Sequence, residues 1–166
     1  MIQEANLIWQ YKDTECLGLV MPWYTLPALE WLKSQDTKNW KVFEFGTGYS
    51  TIWWLLNCRD LRGVESNKEW ANAIGSYFIN NKESYVNASG GDSGEYNCII
   101  VDGIDREECV RNCLDNIRSG GFLIIDNFES ENYDASQTDE LLKDWPVVLH
   151  HQPNHSVWVT AIFTKP

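Results

Sequence analysis

Apolar residues fall in short runs of strand length, separated by stretches where they recur at helical spacing. Residues 26–34 read as a helix, with Pro27 tolerated in its first turn and Leu29, Trp31 and Leu32 supplying an apolar face. Residues 40–45 predict a first strand, 50–58 a helix and 61–65 a second strand. A helix is expected over 67–78, where Trp70, Ile74, Tyr77 and Phe78 share a face, and a short third strand over 85–88. Residues 97–101 form a continuous apolar run, which suits a strand buried on both faces of a parallel sheet. A helix over 106–118 should end at Gly120-Gly121, before another buried strand over 122–125. A last helix over 138–145 leads to strands at 147–151 and 157–163, joined by Pro153-Asn154 as an antiparallel hairpin.

Strands alternating with helices indicate an α/β fold: a Rossmann-like sheet, mostly parallel, with helices on both faces and an antiparallel C-terminal strand. Seven strands are expected in one domain spanning 1–166, with 1–25 as an N-terminal extension and 26–166 as the core. Residues 89–95, between the third and fourth expected strands, are too few for a usual crossover helix, so one helix should be missing or reduced.

The chemistry concentrates where the first strand ends, in Glu44-Phe45-Gly46-Thr47-Gly48. Glycines at Gly46 and Gly48 let the chain turn sharply and approach a ligand, and the helix that follows offers unpaired N–H groups. Glu65 closes the second strand, where an acidic ribose ligand belongs in a nucleotide-binding α/β unit. With Asp92 and Val101-Asp102-Gly103, these residues resemble the class I S-adenosylmethionine-dependent methyltransferases over residues 22–166. The resemblance implies S-adenosyl-L-methionine as cofactor. Glu44 would lie near the methionine ammonium, Gly46 and Gly48 beneath the ligand, and Glu65 on the ribose hydroxyls. Asp92 would accept from the adenine amino group, and Asp102 would stand at the reacting end as the candidate catalytic carboxylate.

Asp102, Asp126 and Asn127 form a second constellation at the ends of strands four and five, where ligands of open α/β sheets bind. Two carboxylates and a carboxamide are hard ligands suited to Mg²⁺. The triple resembles the metal site of catechol-type O-methyltransferases, except that the lysine base of that family is replaced by Asp105. Without a metal, the three would order the methionine end or cap a strand. His150, His151 and His155 flank the hairpin turn, and neighbouring strand residues face opposite ways, which disfavours a shared metal. Cys109 and Cys113, one helical turn apart, read as small core residues.

Composition narrows the partners. A formal charge of −11 with no Lys/Arg cluster argues against nucleic acid and favours a small-molecule acceptor. No apolar run is long enough for a membrane span, and the N-terminus lacks the character of a signal peptide. Five cysteines without framework spacing fit a cytoplasmic location. Nine tryptophans either fill the core or line a cleft for flat ligands. The expected activity is S-adenosylmethionine-dependent methyl transfer, to an oxygen of a small molecule. The alternatives are a catalytically silent cofactor-binding module of the same fold, or another Rossmann-like nucleotide-dependent enzyme. Acceptor and oligomeric state stay open.

Overall fold

The computed structural model describes residues 21–129, 133–154 and 157–166. Helix α1 (Leu26–Lys33) precedes β1 (Lys41–Phe45), α2 (Tyr49–Asn57) and β2 (Asp60–Glu65). Then come α3 (Lys68–Ile74), β3 (Tyr77–Phe78), α4 (Lys82–Val86) and β4 (Tyr96–Val101). Helix α5 (Arg106–Cys113) runs through a 3-10 turn into β5 (Ile117–Ile125), followed by α6 (Asp139–Leu142), β6 (Val147–His151) and β7 (Val159–Thr164). The seven strands form one sheet in the order β3-β2-β1-β4-β5-β7-β6. β1 to β5 pair in parallel, and β7 runs antiparallel to both β5 and β6. The expected sheet, with its reversed terminal strand, is therefore present.

Period-two alternation splits the core between the two faces of the sheet. Val42, Cys98, Ile100, Ile124 and Ile162 pack with Tyr24, Leu29, Leu32, Trp40 and Trp54 on the side of α1 and α2. Phe43, Phe45, Ile99, Val101, Leu123, Ile125 and Phe163 pack with Tyr85, Cys109, Val110 and Cys113 on the side of α4 and α5. Both helical cysteines are core residues, as their spacing implied. At the described outer edge, β6 leaves Val147, Val148 and Leu149 largely exposed.

The third strand lies earlier than its sequence suggested. α3 stops at Ile74 because Gly75 takes a left-handed conformation (φ 77°), and Tyr77-Phe78 turn outward to pair with Val64-Glu65. Residues 82–86, inside and beside the run read as a strand, form helix α4, started by Asn81, whose side chain accepts from the Ser84 N–H. The crossover helix is thus reduced to five residues rather than lost, and it precedes residues 89–95. α5 is also shorter than expected, and β5 begins at Ile117 and passes through the glycine pair. There Tyr96 pairs with Ile117 and Cys98 with Phe122, so the intervening residues of β5 bulge outward. Gly120 adopts φ 72°, and a Cβ on Gly121 would lie 2.9 Å from two backbone oxygens. α6, at four residues, is half the length its pattern implied.

Candidate functional site

The site grows from the carboxyl ends of β1, β2 and β4. Beyond Phe45 the chain turns at Gly46 (φ 82°), whose N–H donates to Val64 O at 2.9 Å. A Cβ there would lie 2.5 Å from the Gly103 nitrogen and 2.6 Å from the Asp102 carbonyl carbon. The turns after β1 and β4 therefore touch back to back, and only glycine fits between them. Gly48 is less constrained: a Cβ would meet the Trp70 indole at 3.6 Å, an ordinary contact.

Glu65 holds this turn from the side. Its carboxylate accepts from the Thr47 N–H at 3.0 Å and from the Asn67 N–H at 2.7 Å. The Trp70 indole N–H donates to the Thr47 carbonyl, and the Thr47 and Ser76 hydroxyls are bonded at 2.5 Å. The Gly48 N–H donates to the Thr51 hydroxyl at 2.8 Å, which closes the first turn of α2. A cleft of about 180 Å³ opens here, lined by Trp23, residues 46–50, Trp70 and Asp102.

Glu44 lies below the floor of that cleft rather than in its wall. It is 0% exposed, and its two carboxylate oxygens accept from the hydroxyls of Ser50 and Thr51, the latter at 2.5 Å. Burial pushes its carboxyl up to about 8, against the pull of the two hydroxyls. The acid two residues before Gly46 thus pins β1 to the start of α2.

Asp102 is the carboxylate that does line the cleft, with its side chain 27% exposed. Desolvation raises it to about 6, while the Arg106 guanidinium draws it down. Arg106 is buried at the start of α5 and donates from Nε to Gly103 O at 2.8 Å. Its other nitrogens reach the Asp126 carbonyl and, at 3.3 Å, Asp102 Oδ1. One planar fork so ties the ends of β4 and β5 together.

This guanidinium alters the expectation of a metal. Asp126 is 3% exposed, accepts from the Thr160 hydroxyl at 2.6 Å and is held well above the usual carboxylate range by burial and by the charge of Asp102. Asn127, at φ 47°, turns the chain toward Phe128. Asp102 already pairs with a cation, and Asp126 faces a hydroxyl on β7, so the donor set does not fit Mg²⁺. Among the described residues no group of three His, Cys, Asp or Glu is placed to hold a metal ion. Of the three histidines, His150 and His151 lie on β6 and His155 lies outside the described residues.

Asp92 is not brought to the site. It sits exposed in the turn ahead of β4, where Glu95 N–H donates to its carbonyl and Gly94 N–H to Asp115 O. That turn is at the amino ends of the strands, opposite the Gly46 loop. The displaced third strand accounts for the difference: the segment that follows β3 is 79–81, and Ile79 N–H donates to Glu65 O at 2.9 Å.

Sequence reasoning did not single out Arg106, Trp23, Tyr49 or Trp70 for the site. Arg106 carried a signal, one helical turn beyond Asp102 at a helix start. The tryptophans divide between the two readings: Trp40 and Trp54 stack in the core at 6.2 Å, whereas Trp23 and Trp70 line the cleft.

No protein-family model matches the chain, and no curated protein does. Solved structures do. A candidate methyltransferase from Streptococcus mutans in complex with SAH has a TM-score of 0.62 at 11% identity, covering 88% of this chain and all of that one. The 1,6-didemethyltoxoflavin-N1-methyltransferase of Burkholderia thailandensis, with bound 1,6-didemethyltoxoflavin and S-adenosylhomocysteine, scores 0.57 at 16% identity, covering 97% and 86%. The tRNA (m1A58) methyltransferase of Aquifex aeolicus scores 0.57 at 13% identity, covering 81% of this chain and 66% of its own. The chain thus has the Rossmann-like methyltransferase fold.

Proposed function

We propose that this protein binds S-adenosylmethionine and transfers its methyl group to an oxygen of a small molecule. The observation that carries the reading is Gly46, packed against Asp102–Gly103 with the Glu65 carboxylate at the adjoining strand end. That arrangement holds the turns after β1 and β4 back to back under the cleft, with an acid suited to a ribose at the adjoining strand end. A carboxylate has about four lone-pair sites. Glu65 accepts from Thr47, from Asn67 and, at 3.4 Å, from the Ser66 hydroxyl, so it can keep those bonds and still accept from one ligand hydroxyl. Residues 79–81, next to Glu65, take the place first given to Asp92 at the base.

The cofactor supplies a methyl group already activated on a sulfonium. The chain's part is to align the acceptor and to manage one proton. Asp102 lines the cleft and, at about 6, is largely ionised near neutral pH, so it can accept the proton of an acceptor hydroxyl. Arg106 holds that carboxylate in place from behind. The structural neighbours act on tRNA in one case and on 1,6-didemethyltoxoflavin in another, so fold does not choose the acceptor. The charge of −11 favours the small molecule.

The test is transfer of labelled methyl from S-adenosylmethionine to a panel of hydroxylated small molecules, with unmodified RNA alongside. Transfer to a hydroxyl compound, lost in Asp102→Asn, supports the reading. Tight binding of S-adenosylhomocysteine with no transfer to any acceptor would make the chain a silent binding module instead.

A further inference from the structure

Two residues that line the cleft, Trp23 and Asp102, are joined by hydrogen bonds running through the interior. Two positions after Trp23, Thr25 is buried, and its N–H donates to the Thr160 hydroxyl at 3.0 Å. Thr160, on β7 and 0% exposed, donates in turn to Asp126 Oδ1 at 2.6 Å. The Asp126 carbonyl accepts from Arg106, whose guanidinium also reaches Asp102 Oδ1 at 3.3 Å. The path therefore leads from the start of α1, across β7, to the ends of β5 and β4. Two further bonds fasten the same segment but stop at the terminal hairpin. The Thr25 hydroxyl donates to His150 O at 3.0 Å, and the Leu26 N–H donates to Gln152 Oε1 at 2.8 Å.

We infer that Thr160 is a positioning residue for the proposed methyl transfer, setting where the segment that carries Trp23 stands relative to the Asp102 carboxylate. The inference rests on the function proposed above. Thr160 is too deeply buried to touch a ligand, so it acts only through Thr25 and Asp126. Its hydroxyl accepts from one and donates to the other, which a valine of the same shape does neither of. Thr160→Val leaves the Thr25 N–H and Asp126 Oδ1 without their partner in a buried place, where an unmade bond costs more than a made one gains. The two sides of the cleft then lose their shared reference. Gly46 and Glu65, which carry the cofactor in the proposed function, are bonded to other groups and keep their places.

Transfer kinetics of Thr160→Val and Thr160→Ser test this, beside Gln152→Leu, which cuts a bond to α1 that does not lead to Asp126. Thr160→Val should lower kcat/KM for the acceptor by about tenfold to a hundredfold, the cost of small misplacements. Its affinity for S-adenosylhomocysteine by calorimetry should stay that of the unaltered chain. Thr160→Ser keeps the hydroxyl and should recover most of the rate, and Gln152→Leu should retain it. An undiminished rate in Thr160→Val, or an equal loss in Gln152→Leu, overturns the inference and leaves the cofactor reading intact. If thermal melts show Thr160→Val unfolded, Thr160→Cys takes its place, since a thiol is a weak donor and acceptor, and the same outcomes decide. If the unaltered chain binds no cofactor or transfers to no acceptor, that reading falls, and amide hydrogen exchange decides the link by itself. Thr160→Val should then speed exchange at 23–26 and at 103–106, and Gln152→Leu at 23–26 alone. Exchange in Thr160→Val that leaves 103–106 unchanged refutes it.

Discussion

Gly46 and Gly103 touch through their backbones, with 3.1 Å between the position of a Cβ on Gly103 and the Gly46 nitrogen. Each glycine makes room for the other's strand end. A side chain at Gly46 would face both a steric collision and a left-handed φ of 82°. Gly46→Ala is therefore expected to cost about 1–3 kcal/mol for the backbone conformation alone, with the collision added to it. Urea denaturation should show the midpoint falling at unchanged slope, and calorimetry should show S-adenosylhomocysteine binding lost. A variant of native stability and affinity would mean that the two turns can part without cost.

Glu65 braces the fold, and under the proposed function it also holds the ligand. Removing its carboxylate in Glu65→Ala strands the N–H groups of Thr47 and Asn67 and removes the proposed ribose contact. Binding of S-adenosylhomocysteine should weaken by about 1.5–3 kcal/mol, the range of charge-assisted hydrogen bonds. Glu65→Gln keeps one acceptor oxygen and should lose less. Equal affinity in both variants and the unaltered chain would remove Glu65 from the site.

Stability should fall as the solution becomes more alkaline. Glu44 is raised from an ordinary 4.5 to about 8 by burial, and Asp102 is raised to about 6. A carboxyl raised on folding favours the folded state fully below its unfolded value, and that favour is lost as pH climbs through the folded value. The window for Glu44 thus runs from about 4.5 to 8. Glu44→Gln keeps the shape and stays neutral, so thermal melts at pH 8 should show a gain of a few kcal/mol, on the order of 1.4 for each pH step of one across that window. The gain should vanish near pH 4.5, the ordinary value. A variant whose melting point tracks the parent across the range would show that the hydroxyls of Ser50 and Thr51 sustain the ionised form.

Arg106 should be irreplaceable by an apolar side chain. Arg106→Met leaves Asp102 beside an unneutralised interior and frees the carbonyls of Gly103 and Asp126, a loss of about 3–5 kcal/mol by chemical denaturation. Arg106→Lys keeps the charge but cannot serve all three partners with one planar fork, so an intermediate loss is expected. Because the guanidinium already compensates Asp102, turnover should be indifferent to EDTA and to added Mg²⁺. Dependence of turnover on the ion would contradict the role given to Arg106.

Most of the sheet could be read from the chain because its strands are apolar runs with clear glycine or polar borders. The run before Gly46 and residues 97–101 are examples. The exceptions have local causes. Tyr77 and Phe78 continue the spacing of α3, yet Gly75 turns the chain out of the helix, and a two-residue strand is too short to show a period. Residues 85 and 86 look like strand because Tyr85 and Val86 are buried, but their burial is that of a short helix lying on the sheet. From that one displacement followed the wrong position of Asp92. Of the residues that adjoin a strand end in sequence, Gly46 and Asp102 line the cleft, Glu65 braces its turn and Glu44 lies beneath it. Those brought in from elsewhere, Trp23 and Trp70, were not legible, since what places them is tertiary packing rather than spacing.

The outer strand β6 carries a different implication. Val147, Val148 and Leu149 are 45–56% exposed along an edge of the described sheet, which offers backbone donors and acceptors to a second molecule. Electrostatic repulsion is what opposes such association, and it comes from an excess of acidic side chains that fades toward a pI near 4.6. Acid therefore acts on this protein in two opposed ways. It consolidates the individual fold through the buried carboxyls while removing the colloidal barrier that keeps exposed edges apart. Soluble, monodisperse protein should be easiest to keep at neutral pH and low salt, where each molecule is less tightly folded than it could be.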